Sequence, residues 1–209
     1  MRPSDYPPPW RPEEAITTPS ESEPVEVDVL VVGAGPAGLA AAIRLAQVAP
    51  ELSVAVVEKG KRPGAHLLSG AVLRPGPLRE LVGEDVPSYG EVPGEGVYFL
   101  TESRSLRIPT PPTMRNHGNV VVSLSELGRW LAEKAEAGGA MLLPETDAQR
   151  LLVEDGRVIG VRTGDKGRGR GGEELGRFEP GSELRARVTI LCEGTGGHLT
   201  GAALAHFGL

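Results

Sequence analysis

At 209 residues with 39% hydrophobic side chains, the chain carries enough apolar material for a sizeable core, arranged as one large domain or two small ones. A formal charge of −6, from 28 acidic against 22 basic residues, and the lack of a dense Lys/Arg stripe apart from the glycine-diluted Lys166–Arg170 argue against nucleic acid as a partner. The single cysteine, Cys192, can make no internal disulfide and cannot alone hold zinc or an iron–sulfur cluster, which fits a reducing, cytoplasmic setting. No apolar run approaches the roughly 20 residues of a membrane-spanning helix, and the N-terminus lacks the apolar core of a signal peptide.

Taken in chain order, Met1–Pro24 holds seven prolines with Ser, Thr and Glu and reads as an extended, disordered tail, with docking through Trp10 as the alternative. Residues 25–209 form the expected folded domain. The run Val29–Val32 reads as a buried parallel strand and feeds directly into Gly33-Ala34-Gly35-Pro36-Ala37-Gly38, a G-x-G-x-x-G. Gly33 permits the turn, Gly35 lets main chain approach a pyrophosphate, and Gly38 lets the following helix, Leu39–Ala49, pack on the strand. Phosphates sit well at such a helix start, because its unsatisfied N–H groups and dipole favour negative charge. A second strand, Ser53–Glu58, ends in an acid twenty residues beyond Gly38, the place where this fold puts a carboxylate on the adenosine ribose hydroxyls. An acid there disfavours a 2′-phosphate.

Lys59–Gly70 is a loop of small residues expected to run along the cofactor towards its far end. Ala71–Val82 reads as a helix with Pro75 and Pro77 near its start, either an ordinary surface helix or an interfacial one. Val97–Leu100 and Ser105–Ile108 are short strand candidates. Ser123 and Glu126 form a capping box opening a helix that runs to Ala137, with Gly138-Gly139 as its stop. Ala140–Leu143, Gln149–Val153 and Val158–Arg162 read as strands, the last two joined through Asp155-Gly156, a hairpin signal. Gly164–Gly181 reads as an exposed loop. Leu184, Ala186, Val188 and Ile190 then alternate into a return strand ending at Glu193 and Gly194, in a second glycine turn near the cofactor. Cys192 on that strand reads as an inert thiol, Trp130 as core, and His66 and His117 as loop residues for which a hydrogen-bonding structural role competes with a place beside the cofactor.

The blocks GAHLLSGAVL (Gly64–Leu73), PPTMRNHGNVVVSLSELGRWLAEKAEAGG (Pro111–Gly139) and LRARVTILCEGTGGHLT (Leu184–Thr200) closely resemble the electron transfer flavoprotein–ubiquinone oxidoreductase family, over about Val25–Leu209. FixC-like and geranylgeranyl-reductase-like flavoproteins share the scaffold but match these blocks less well. The resemblance implies an α/β, Rossmann-like FAD/NAD(P)-binding three-layer fold with a parallel sheet and an added antiparallel β-layer. It implies extended FAD held by Gly33, Gly35, Pro36, Ala37, Gly38, Glu58 and Lys59. Gly64, His66, Ser69, Gly70, Glu193 and Gly194 would lie beside it, and the segment through Leu81 would touch the membrane surface. It further implies electrons passed from reduced electron transfer flavoprotein through a [4Fe–4S] cluster and FAD to ubiquinone or menaquinone, chemistry that needs no dedicated nucleophile or base, so no catalytic residue is nominated. Family members continue far beyond this length with quinone and four-cysteine cluster domains, so the chain is expected to be an N-terminal portion, incomplete at the C-terminus, that does not itself bind the cluster. Two other readings stay open: an NAD(P)H-dependent FAD reductase or monooxygenase, and an inactive or split-gene cofactor domain that pairs with a separate C-terminal half.

Overall fold

The computed structural model describes residues 11–67, 70–168 and 173–209. A 3-10 turn at Pro12–Ala15 precedes Ile16–Thr17 (β1), and Val25–Val32 (β2) leads into Pro36–Val48 (α1). Pro36 takes the first helical position, where its missing N–H costs nothing and its fixed φ suits the helix. Val54–Val57 (β3), Ala71–Leu73 (β4), Gly76–Val82 (α2), Gly90–Glu91 (β5), Val97–Leu100 (β6), Ser105–Ile108 (β7), Val120–Val122 (β8), Leu124–Ala137 (α3) and Met141–Leu143 (β9) follow. The remainder comprises Ala148–Glu154 (β10), Arg157–Thr163 (β11), Lys166–Arg168 (β12), Glu174–Glu179 (β13), Glu183–Leu191 (β14) and His198–Phe207 (α4).

Among the described residues a seven-stranded mixed sheet has the order β1-β10-β11-β14-β2-β3-β9. Strands β14, β2, β3 and β9 are parallel, while β10 and β11 form the expected antiparallel addition, hydrogen-bonded to the parallel part through β14. Both faces of β2 are covered, which is why its second half is an unbroken apolar run rather than an alternating one. Val29 and Val31 join Leu39, Ile43, Val56, Leu127 and Leu131 under α1 and α3; Leu30 and Val32 join Val57, Leu151, Val161, Leu184 and Leu199 on the α4 side. The return strand is as expected, with Val188 opposite Val29 and Leu191 opposite Val32.

Several expectations change. Residues 71–73 are a strand, not the start of a helix, because Ala71–Leu73 pairs with Val122–Val120 of β8 and Pro75 delays α2 to Gly76. Leu78 and Leu81 of α2 are partly buried against the α1/α3 core. The capping box is half formed: Ser123 accepts from the Glu126 amide, but the Glu126 carboxylate turns to accept from Tyr89 Oη at 2.8 Å. The 164–181 stretch is not wholly a loop, since β12 and β13 pair within it; residues 169 and 170 of the basic run lie outside the described residues. Trp130 is partly buried against the core, with Lys134 Nζ 4.7 Å from its ring centre. The Asp155-Gly156 turn forms with φ of 48° and 72°, the left-handed values a two-residue hairpin needs. Trp10 lies outside the described residues, yet residues 11–20 are docked: Ala15 is fully buried and β1 adds to the sheet edge.

Candidate functional site

Three chain segments converge where β2, β3 and β14 end. The Gly33 amide donates to the Val57 carbonyl at 2.9 Å and the Cys192 amide to the Val32 carbonyl at 2.8 Å, so the ladder is closed up to the last residue of each strand. Gly33 has φ +104°, and a Cβ there would lie 2.5 Å from the Cys192 carbonyl oxygen. A Cβ on Gly38 would run into the Gly33 carbonyl oxygen and approach Val31 Cγ1 to 3.0 Å, so the missing side chain is what seats α1 on β2. Gly35 differs: a Cβ there meets nothing within 4 Å.

Gly35 faces a cavity of ≈ 780 Å³ at the C-terminal ends of the parallel strands. In open α/β sheets ligands bind at this end. Of the residues expected from sequence, Gly33, Gly35, Pro36 and Ala37 line it from the loop, Glu58, Lys59 and His66 from the end of β3, and Glu193 and Gly194 from the end of β14. Gly38 lies beneath it. Gly64 is not among its lining residues; its φ of +83° and a virtual Cβ 2.6 Å from the Ser125 carbonyl oxygen show that its bareness serves packing on α3. Gly70 is exposed and His117 is exposed, both outside the cavity lining, and Ser69 lies outside the described residues. Sequence reasoning missed Leu67, Thr146, Asp147 and His198, which also line the cavity. The first turn of α4 brings His198 there, and that helix passed unnoticed because Gly194–Gly197 reads as a terminal turn.

Glu58 is nearly buried, with 15% of its side chain exposed. Its Oε2 accepts from the Ala34 amide at 3.1 Å and its Oε1 from the Gly60 amide at 2.7 Å, with His66 Nδ1 at 3.8 Å from Oε1. The carboxylate thus braces the glycine turn. With about four lone-pair sites on a carboxylate, it keeps capacity to accept from hydroxyls in the cavity. Glu193 instead caps α4, its Oε1 accepting from the Leu199 amide at 3.2 Å and its Oε2 from the Thr200 amide at 2.7 Å and hydroxyl at 2.8 Å. His198 Nδ1 sits 3.3 Å from Glu193 Oε1, and its Nε2 lies 3.3 Å from the Gln149 carbonyl. The α4 N-terminus is therefore already filled by a carboxylate, whereas the amides of Ala37 and Gly38 in the first turn of α1 have no intrahelical acceptor. An anionic group entering the cavity finds its donors at α1. Cys192 borders the cavity as a thiol that burial pushes up from its ordinary value of 9.0, so it stays protonated at neutral pH. Among the described residues no cluster of three or more His, Cys, Asp or Glu is placed to hold a metal ion.

The residues fit the phosphate-bearing end of a dinucleotide on two observations: an open Gly35 at a helix N-terminus with free donors, and an acid one strand away. Residues 31–84 match the NAD(P)-binding Rossmann-like domain family. A solved geranylgeranyl bacteriochlorophyll reductase-like protein from Thermoplasma acidophilum superposes with a TM-score of 0.60 at 23% identity, covering 82% of this chain and 40% of that one. The myxobacterial chondrochloren halogenase, described as a variant of FAD-dependent halogenases, gives a TM-score of 0.57 at 20% identity, covering 86% and 40%. Both likenesses show a Rossmann-like fold. In sequence, the chain is 45% identical over 193 residues to the mitochondrial electron transfer flavoprotein-ubiquinone oxidoreductase of Dictyostelium discoideum, covering 88% of this chain and 32% of that protein. It is 46% identical over 193 residues to the protein of that name from Pseudomonas aeruginosa, covering 86% and 35%. By sequence, then, the chain is a homologue of the electron transfer flavoprotein-ubiquinone oxidoreductases, and it spans about a third of the length of the relatives it matches.

Proposed function

We propose that this chain is the FAD-binding portion of an oxidoreductase that takes electrons from reduced electron transfer flavoprotein and passes them to ubiquinone or menaquinone. The observation that carries it is Gly35, whose missing side chain opens onto the cavity at the free N-terminus of α1. The amides of Ala37 and Gly38 would hold the pyrophosphate, Glu58 would accept from the ribose hydroxyls, and the Glu193–Gly194 turn would border the far side. When bound, FAD supplies the redox chemistry, and the chain's own residues bind it, orient it and shut water away. A [4Fe–4S] cluster would draw its thiolates from elsewhere, since Cys192 is the sole cysteine.

The test is a titration of purified protein with FAD, followed by flavin fluorescence and thermal shift. Saturable binding near one FAD per chain is the expected result, with little bleaching on adding NADH or NADPH. Absence of both flavin bands and thermal shift would sink the reading, and rapid bleaching by a nicotinamide would replace it with the reductase or monooxygenase alternative.

A cytoplasmic chain peripheral to the inner face of the membrane fits this reading, with a second candidate contact beside α2. Among the described residues no helix is long and apolar enough to cross a membrane. The β6–β7 hairpin instead exposes Tyr98, Phe99, Leu100 and Leu106, with Phe99 and Leu100 at 62% and 70% exposure, and Arg104 and Arg107 beside them. Exposed apolar side chains along the strands with adjacent arginines suit an anionic lipid surface. Phe99→Glu combined with Leu100→Glu is expected to abolish co-sedimentation with anionic vesicles at unchanged Tm. Retained binding would discard the hairpin as the contact.

A further inference from the structure

The N-terminal stretch has the composition of a loose tail, yet it is fastened at three points. Ala15, fully buried, packs in one cluster with Leu199 and Ala202 of α4. Ile16 and Thr17 pair in parallel with Leu151 and Leu152 of β10. At Ser20 the amide donates to Glu183 Oε1 at 2.7 Å, while Arg185 Nη2 donates to both the Ser20 carbonyl at 3.1 Å and Glu183 Oε2 at 3.0 Å. Glu183 has no exposed side-chain surface, and Arg162 Nη1 approaches it to 3.7 Å. A buried carboxylate is retained at such a place only when its partners are all present.

The fastened stretch lies against the outer side of α4, and the inner end of that helix is a wall of the cavity. His198 opens α4, bridges Glu193 to the Gln149 carbonyl of β10, and lines the cavity with both Glu193 and Gly194. The helix itself has only two fully buried residues, Leu199 and Ala202, which pack both on the sheet and against Ala15, so its hold on the domain is shared between the sheet and this stretch. Elements with few buried contacts open locally at low cost.

We propose that residues 11–20 are a strap that holds α4 closed, and with it the His198–Glu193 wall, so that cofactor affinity depends on a segment that never touches the cofactor. The strap is fastened to α4, β10 and β14, whereas the glycine loop and Glu58 are built from β2, β3 and α1. The cofactor half of this inference rests on the proposed FAD reading, while the α4 half does not. By linkage, a bound cofactor must stabilise the closed strap by the same factor by which the strap tightens the cofactor.

Hydrogen exchange on the full chain separates the two halves. In Ala15→Glu, which places a carboxylate in the fully buried position, the amides of Gly201 and the following residues of α4 are expected to exchange at least tenfold faster without cofactor. Those of α1 and β3 should be unchanged, and FAD affinity should fall at least fivefold. Ser20→Pro removes the donor to Glu183 at an exposed residue and is the milder second variant, expected to give the same pattern at smaller amplitude. Saturating FAD should slow exchange of the wild-type Ser20 amide. Unchanged α4 exchange in both variants would overturn the strap. Faster α4 exchange with wild-type FAD affinity would overturn its link to the cavity. If the wild type bound no FAD at all, the proposed function would fall, and α4 exchange would still decide the strap.

Discussion

Gly38→Ala is expected to cost about 3 kcal/mol or more, a fall of roughly 6–12 °C in Tm for a chain of this size, while Gly35→Val leaves Tm within about 4 °C and abolishes flavin binding. The two glycines stand three positions apart in one motif and do opposite things. The Cβ of Gly38 would overlap a backbone carbonyl, that of Gly33, and neither the carbonyl nor Val31 beside it can step aside without lifting α1 from β2. Backbone atoms do not re-pack as a flexible side chain does. At Gly35 the new side chain meets no protein atom within 4 Å. Its stability cost is limited to replacing glycine by a poorer residue at the N-cap of α1, about 1 kcal/mol. Its isopropyl group occupies the cavity where a pyrophosphate would reach the α1 amides. Thermal denaturation and flavin content, measured on both variants, check the pair. Wild-type flavin content in Gly35→Val would remove the loop from the site, and wild-type stability in Gly38→Ala would refute the packing account.

The second large effect concerns Glu183→Ala, expected to destabilise by about 2–3 kcal/mol at pH 7. Removing one partner of a buried ion pair costs about 3–5 kcal/mol when the other is left dry. Here Arg162 and Arg185 keep 37% and 29% of their side-chain surface, so water recovers part of the loss. The pH dependence has a definite sign. Burial pushes the Glu183 carboxyl up, but the bonds from Ser20 and the Arg185 guanidinium outweigh it, and the net shift is below the ordinary 4.5. A group whose folded value is depressed contributes its stabilisation in full above the unfolded value and loses it as pH falls through the folded one. The gap between wild type and variant should therefore be constant from pH 6 to 8 and shrink below about pH 4.5. Urea denaturation at pH 7 and pH 3 measures it, and an equal gap at both would assign the effect to packing alone.

How far the sequence reaches differs by element for physical reasons. The β2–α1–β3 unit was legible because its signals are local: an apolar run for a strand covered on both faces, three glycines at fixed offsets, and an acid at the next strand end. The 148–163 hairpin was legible for the same reason, an alternating pair around Asp155-Gly156, whereas Val97–Leu100 and Ser105–Ile108 were legible as strands but not as a pair. What was not legible depends on distant partners. Ala71–Leu73 looks helical until β8 supplies its antiparallel neighbour, and the docked 11–20 segment has no apolar pattern, since only Ala15 and the adjacent Ile16 reach the core and Glu183 grips a backbone amide rather than a side chain. In the site, Glu58 and the loop glycines followed from spacing. His198 did not, because its place depends on α4 folding back along β10. Gly64 was placed in the right loop for the wrong reason: it is bare to let Ser125 approach.

The strand order has a consequence for how the chain is made. Strand β2, which carries the glycine loop, is paired on one side by β3, which follows it closely in the chain, and on the other by β14, which follows only after the whole stretch from Val32 to Glu183. At about 5–20 residues per second, the valine-rich edge of β2 stays unpaired on the ribosome for on the order of 10 s. Long-range parallel pairing is slow to form and leaves such edges open to other chains. The nascent protein would therefore depend on chaperones during that interval more than a helical protein of equal length does.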